Sequence, residues 1–194
     1  KKSNFVKYNH DLWNEYTTEN EGIFQKELGD LIYHISLTLG ATRILELGCN
    51  AGNNLRSFPI DYDVNGLDMN KVALEKAKKI HKNFNFYEGS LLDVPFDNSE
   101  FDLVFTRGVL IHINQSDMDL AVKEMFRVSK KWIFNLEYFG EDGKEIDWKR
   151  GKDLLWYRDM NKWWSKYDAE IVTEIDLPQN IDIGKTRLTL IKKK

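Results

Sequence analysis

In the stretch ILELGCNAGNN, residues 44–54, an acid (Glu46) precedes a turn that carries Gly48, Asn50 and Gly52 at alternate positions. A short apolar run that breaks into such a turn is how a buried parallel strand hands over to backbone N–H groups facing a ligand. The spacing excludes two phosphate chemistries. A dinucleotide fingerprint needs G-x-G-x-x-G so that the chain can approach a pyrophosphate, and a P-loop needs Gly-Lys-Ser/Thr; neither is present. Asn at the middle position keeps the bend, because it tolerates a left-handed backbone better than most side chains. It also narrows the room over the loop, which suits the edge of a small ligand better than a pyrophosphate.

A second acid, Asp68, closes the run VNGLDM (64–69), 22 residues after Glu46. A carboxylate there accepts both hydrogens of a ribose diol, or else serves the dipole of the helix that follows. His112, beyond the fourth apolar run, has the pKa class of a general base; the competing reading is packing against the loop before the next helix. Glu137 and Tyr138, at the end of the fifth run, either orient an acceptor hydroxyl or simply terminate a strand. His10, His34 and His81 fall in helical patterns as surface or packing residues. No two histidines share metal-ligand spacing, so no metal is expected. In the segment IDWKRGKDLLWYRDMNKWWSKY (146–167), Lys149, Arg150 and Arg158 either meet an anionic acceptor or form a solvated charged loop.

These residues need a scaffold, and the hydrophobic periods supply one. Residues 1–40 are helical in pattern; Ile23, Phe24, Leu28, Leu31, Ile32, Ile35 and Leu39 keep three-and-four spacing up to Gly40, a C-terminal cap. From residue 41 the period changes. Strands are predicted at 42–48, 64–69, 85–89, 101–107 and 132–138. Helices are predicted at 70–82, capped by Asn70, at 116–130, starting at Ser116 or Asp117, and at 153–167. Segments 170–177 and 186–192 close as an antiparallel hairpin. In the 153–167 helix Trp156, Met160, Trp163 and Tyr167 would share one face. Alternating strands and helices mean βαβ units and a mostly parallel sheet of seven strands covered on both faces. Right-handed crossovers then set the ends of strands one and four side by side at a topological switch point.

Composition bounds the partners. The chain has 194 residues, 42% hydrophobic and 30% charged, with a net charge of −3, which argues for one globular unit and against a nucleic-acid footprint. A single cysteine, Cys49, rules out an intramolecular disulfide and a cysteine zinc cage. No run approaches the roughly 20 apolar residues of a membrane span, and the opening KKSNFVKYNHDLWNE has no apolar signal region. The expectation is a cytoplasmic protein without a membrane partner.

With Glu46 ahead of the Gly48-x-Asn50-x-Gly52 turn, Asp68 after the second strand, GSLLDVPF (89–96) after the third and FDLVFTRGVLIHI (101–113) as the fourth, residues 40–140 resemble the class I S-adenosylmethionine-dependent methyltransferases. Asn50 stands where that family has its middle glycine. The resemblance implies a Rossmann-like α/β fold and S-adenosylmethionine as cofactor. It implies that Glu46, Gly48, Asn50, Gly52, Asp68 and Met69 hold it, that Asp93 meets the adenine amino group with Leu91, Leu92 and Val94 flanking the ring, and that Thr106 and Arg107 lie beside the methionine part. A narrower similarity, carried by TRGVLIHIN, RVSKKWIFNLEYF, RGKDLLWYRDM and the aromatic N-terminal arm, is to the methylases associated with pseudaminic acid biosynthesis. It implies a sugar or nucleotide-sugar acceptor for surface polysaccharide. The expected organisation is an N-terminal helical arm or lid (1–40; Phe5, Tyr8, Trp13 and Tyr16 over the mouth) on a methyltransferase domain (41–194), with His112, Glu137 and Tyr138 as candidate catalytic residues. The alternative is an inactive subunit or sensor that binds the same cofactor.

Overall fold

A computed structural model describes residues 10–20 and 22–194. Two helices come first, α1 (His10–Glu19) and α2 (Lys26–Thr38), then the strands β1 (Arg43–Leu47), β2 (Asp63–Asp68), β3 (Asn85–Glu88), β4 (Phe101–Arg107) and β5 (Ser129–Glu137). Helix α3 (Lys71–Ile80) joins β2 to β3, α4 (Met118–Val128) joins β4 to β5, and a short α5 (Met160–Trp164) leads to β6 (Ala169–Asp176) and β7 (Arg187–Lys193). The sheet order is β3-β2-β1-β4-β5-β7-β6, with β7 antiparallel to both neighbours and the other pairs parallel. β1 therefore lies between β2 and β4, where the order reverses, and the expected switch point exists.

Side chains alternate across the strands and feed two cores. Ile44, Leu103 and Phe105 pack with Leu28, Ile32 and Leu74 on one face. Leu45, Val104 and Ile133 pack with Met118, Met125 and Trp164 on the other. Each such fully buried aliphatic contributes roughly 1.5–3 kcal/mol of apolar transfer. Helix α2 ends as its sequence dictates: Gly40 takes φ 64°, its N–H reaching Leu37 O while Ala41 N reaches Ser36 O, a Schellman closure. Asn70 caps α3, its side chain accepting from Val72 N and Ala73 N.

The helix expected over 153–167 is reduced to α5. Residues 155–158 find backbone partners elsewhere: Ile146 N donates to Leu155 O, Trp156 N to Ile111 O, and Arg158 N to Tyr138 O. Asp159 then accepts from Lys162 N and starts the helix only at Met160. Trp156, Met160 and Trp163 are buried all the same; burial, not a shared helical face, explains their spacing. β5 also begins at Ser129, directly from the end of α4, earlier than the period indicates. Phe5 and Tyr8, and with them the first part of the arm, lie outside the described residues, as does the side chain of His10.

Candidate active site

The β1 loop is bent as its residues require. Gly48, Asn50 and Gly52 take φ of 74°, 47° and 72°. Gly48 N and Cys49 N both donate to Leu67 O, at 2.7 and 3.1 Å, so the loop is tied to the end of β2. A Cβ on Gly48 would stand 2.5 Å from Val109 Cγ2, and one on Gly52 would stand 3.0 Å from the His81 ring. That ring donates from Nε2 to Gly52 O at 2.9 Å, so His81 braces the loop.

Asp68 is pinned from two sides: Oδ2 accepts from Asn50 N at 2.7 Å and Oδ1 from Asn70 N at 2.8 Å. Each oxygen keeps a second lone pair, the disposition a vicinal diol needs. Burial pushes this carboxyl upward, opposed by the amide bonds from Asn70 and Asn50. Gly48, Asn50, Asp68 and Met69 floor a cavity of about 300 Å³ at the switch point, within the range of small-molecule sites. Ser90, Leu91 and Leu92 form one wall, Arg107 and His112 stand on another, and Trp13, Tyr16 and Thr17 of α1 roof it.

Gly52 and Glu46, expected to hold the cofactor, lie behind the lining and not on it, because the loop turns inward between Asn50 and Asn53. Buried polar atoms there lack partners. Glu46 is fully buried; its Oε1 accepts from Asn54 Nδ2 at 2.7 Å, but Oε2 has no partner among the described residues. Burial pushes the Glu46 carboxyl up to about 8, with the Asn54 bond and Arg107 pulling back and Asp68 adding to the rise. Arg107 pairs through Nη2 with buried Asp182 at 2.7 Å, and its Nε is buried and unbonded. An orphan acceptor and an orphan donor near one another suit a group carrying both an ammonium and a carboxylate, since each would otherwise cost about 1–3 kcal/mol. The chemistry of a methionine zwitterion joined to a ribose fits these residues.

Several expected site residues lie elsewhere. Glu137 does not reach the cavity: Oε1 accepts from Thr106 Oγ1, Val109 N and Leu110 N, and Oε2 from Ile111 N. Held by four donors and buried, it caps the turn that carries His112 and does not face a substrate. Thr106 is buried beneath it and also accepts from Asn135 Nδ2, so it supports Arg107 without lining the cavity. Asp93 is exposed and off the lining; Ser90 and Leu91 occupy that wall, because the turn after β3 folds back on itself with Asp93 N bonded to Ser90 O. Tyr138 is half-buried outside the lining, in the electrostatic field of Arg107. The cations expected to meet an anionic acceptor are occupied. Arg158 is buried and donates to Leu110 O, Ile113 O and Gln115 Oε1, and Arg150 pairs with Glu15 and Glu19 of α1.

His112 does line the cavity. Its Nδ1 lies 2.7 Å from Leu154 O; a carbonyl only accepts, so Nδ1 carries the proton and Nε2 the lone pair. Trp13 and Trp148 pack against the ring at 4.9 and 5.1 Å between centroids. Burial lowers the imidazole to about 4, against the Leu154 bond and with Arg158 adding to the fall. The ring is neutral at physiological pH. Sequence reading missed Asn54 and Ser90; the polar pair Asn53-Asn54 directly after Gly52 was the signal for the first.

A mostly parallel sheet whose switch point holds a glycine-bent loop and a diol-competent acid is a Rossmann-like fold, one that methyltransferases of known structure share. The methyltransferase domain family matches residues 44–131. Among curated relatives, a demethylmenaquinone methyltransferase of Lactococcus lactis is 31% identical over 124 residues, covering 62% of this chain and 45% of its own. An uncharacterised methyltransferase of Schizosaccharomyces pombe is 30% identical over 112 residues, 50% of this chain and 40% of that one; the chain thus spans less than half the length of these relatives. Among solved structures, S-adenosylmethionine-bound CalS10, an amino pentose methyltransferase of Micromonospora echinaspora, superposes with a TM-score of 0.71 at 13% identity over 93% of this chain and 96% of that one. The [4+2]-cyclase SpnF does so at 0.67 and 15% identity, over 86% and 80%. The domain match and the fit of the site together support S-adenosylmethionine as the cofactor. Among the described residues no cluster could hold a metal ion, and no helix is long and apolar enough to cross a membrane.

Proposed function

We propose that this chain transfers a methyl group from S-adenosylmethionine to the oxygen of a small-molecule acceptor, a sugar or nucleotide sugar of surface-polysaccharide synthesis, in the cytoplasm. The observation that carries the reading is pinned Asp68 on the cavity floor for the ribose diol, with Arg107 on the wall for the carboxylate and orphan Glu46 Oε2, buried behind the lining, for the ammonium. Met69, Leu91 and Leu92 offer apolar surface to the adenine. When bound, the cofactor supplies an already activated methyl group, so the protein contributes alignment and exclusion of water. α1 does the second.

A sugar hydroxyl has a proton to lose. An imidazole lowered to about 4 is too weak a base to make an alkoxide beforehand. It is strong enough to take the proton as the oxygen turns cationic while the carbon–oxygen bond forms. His112 Nε2 is that proton acceptor, and Glu137 acts through the turn it caps. The sugar assignment rests on the sequence similarity given above and on the likeness of the fold to the amino pentose methyltransferase. Net charge of −3 supports a small molecule over nucleic acid.

Calorimetric titration with S-adenosylmethionine and with NAD, followed by labelled-methyl transfer to a panel of nucleotide sugars, tests the proposal. Binding of NAD in place of the sulfonium would overturn it. His112→Ala is expected to lower turnover roughly 100-fold or more while leaving cofactor affinity nearly unchanged. A second reading, a cofactor-binding protein without transfer activity, draws on the likeness to the cyclase, since this fold carries more than one chemistry. Cofactor binding with no labelled product from any extract fraction would favour it.

A further inference from the structure

Two segments far apart in sequence meet over His112. From α1 comes Trp13, edge-on to the imidazole at 4.9 Å; from the loop after β5 come Trp148, at 5.1 Å, and the Leu154 carbonyl that fixes the tautomer. What joins the two segments is Arg150. Its guanidinium bonds Glu19, lies 3.4 Å from Glu15 Oε2, and sits 5.6 Å above both the Tyr16 and Trp148 rings; its side chain is only 8% exposed. Lys149 adds an outer pair to Glu19 at 3.7 Å, largely in water. Among its described residues helix α1 gives none to either core; this clasp, the ring contacts with His112 and Trp148 and the bonds from Asn70 to Trp13 O and Thr17 Oγ1 help to attach it.

We infer that Arg150 is a positioning residue: by clasping α1 to the 148–154 loop it brings Trp13 and Trp148 together on His112, so that closing the roof and orienting the proton acceptor are one event. The inference rests on the proposed role of His112, yet its test does not need turnover. Arg158 acts on His112 electrostatically, and Asp153 of the neighbouring loop, Asp117 at the start of α4, Arg107 at the end of β4 and Tyr16 of α1 line the cavity with it. Tyr16 packs on the Arg150 guanidinium and moves with the roof, while Arg107 stays paired with Asp182 and Arg158 with the 110–115 turn. A released roof admits water to the ring and relieves the burial that holds its protonation down.

The experiment is nitrogen-15 NMR of the histidine rings in the full chain, combined with amide exchange of residues 10–20. In the parent, His112 should titrate below the ordinary histidine range as the Nδ1–H tautomer. In Arg150→Ala it should move up toward the ordinary value, mix tautomers, and lose protection in α1 at least tenfold. Glu15→Gln/Glu19→Gln, which cuts the clasp from the other side, should shift both readings in the same direction. Arg150→Lys, which keeps charge without the stacked plane, should fall between. Lys149→Ala should change neither. The inference is overturned if Arg150→Ala leaves the His112 titration unmoved, or if α1 loosens while the ring stays as it was. Failure of methyl transfer with the NMR result intact would instead count against the proposed reaction alone.

Discussion

In the floor of the cavity, Leu67 O receives two consecutive loop amides and Asp68 two more, all from segments anchored in the central strands. In the roof, α1 is tied by an arginine, an asparagine and stacked rings, and among its described residues only Thr17 is fully buried. The floor can therefore open only when β1 and β2 separate, at a free energy near that of global unfolding. The roof can open at a small fraction of it. Such a division suits a site that must hold its ligand geometry fixed and still let ligands in and out.

The strongest way to separate the two regions is to break the floor. Gly48→Val puts a branched side chain at φ 74° and against Val109, whose Cγ2 would lie 2.5 Å from the new Cβ. The strain and overpacking should cost at least about 2 kcal/mol, a fall of roughly 4–8 °C in Tm, together with loss of cofactor binding. Thermal denaturation and calorimetry check both; an unchanged Tm would mean that the floor is not built as described. Next comes Asp68→Ala. Removing its charge-assisted bonds should weaken cofactor binding by about 1–3 kcal/mol, and calorimetry should find this loss with the roof still protected from exchange.

How far the sequence foretold these regions follows the same division. The floor was legible because Gly48, Asn50, Gly52 and Asp68 act through local bends and the ends of strands, which residue type and spacing encode directly. The strand order was legible for a similar reason: apolar runs alternating with amphipathic helices leave few ways to build a parallel sheet. Glu137 was not. An acid at the end of a strand has the same pattern whether it meets a substrate or caps a turn, and only its bonds to residues 106–111 decide. Arg150 and Arg158 were misjudged alike, since their partners lie more than 30 residues away in the chain. Residues 153–159 carry helical spacing, but tertiary hydrogen bonds to Ile111 and Tyr138 outweigh local propensity there.

A smaller effect links the floor to pH. Glu46 is raised to about 8 from an ordinary carboxyl value, so between roughly pH 4.5 and 8 the folded state holds a proton that the unfolded chain has lost. Its contribution to stability is full below that window and fades as pH rises through it. His112, lowered to about 4, acts in the other sense: the unfolded chain binds its proton first, so stability is lost as pH falls from about 6.5 toward 4. An ammonium at Glu46 Oε2 would favour the ionised carboxylate, so cofactor binding near pH 7 should release a fraction of a proton. Calorimetry in buffers of different ionisation enthalpy measures it. Glu46→Gln should abolish the release, and a parent protein that releases none would place the ammonium elsewhere.

The smallest expected change tests the roof alone. Trp13→Ala removes one ring from the stack on His112 and from the cavity lining, but takes nothing from either core. If α1 is a separately opening segment, global stability measured by denaturant should fall by less than about 1 kcal/mol. Cofactor release, followed by stopped-flow, should meanwhile quicken several-fold with little change in the association rate, because the ring contributes only after the ligand is seated. The two readings discriminate as a pair. A stability loss as large as that of Gly48→Val would mean that the roof belongs to the same cooperative unit as the floor. Unchanged release would mean that α1 covers the cavity without holding what lies beneath it.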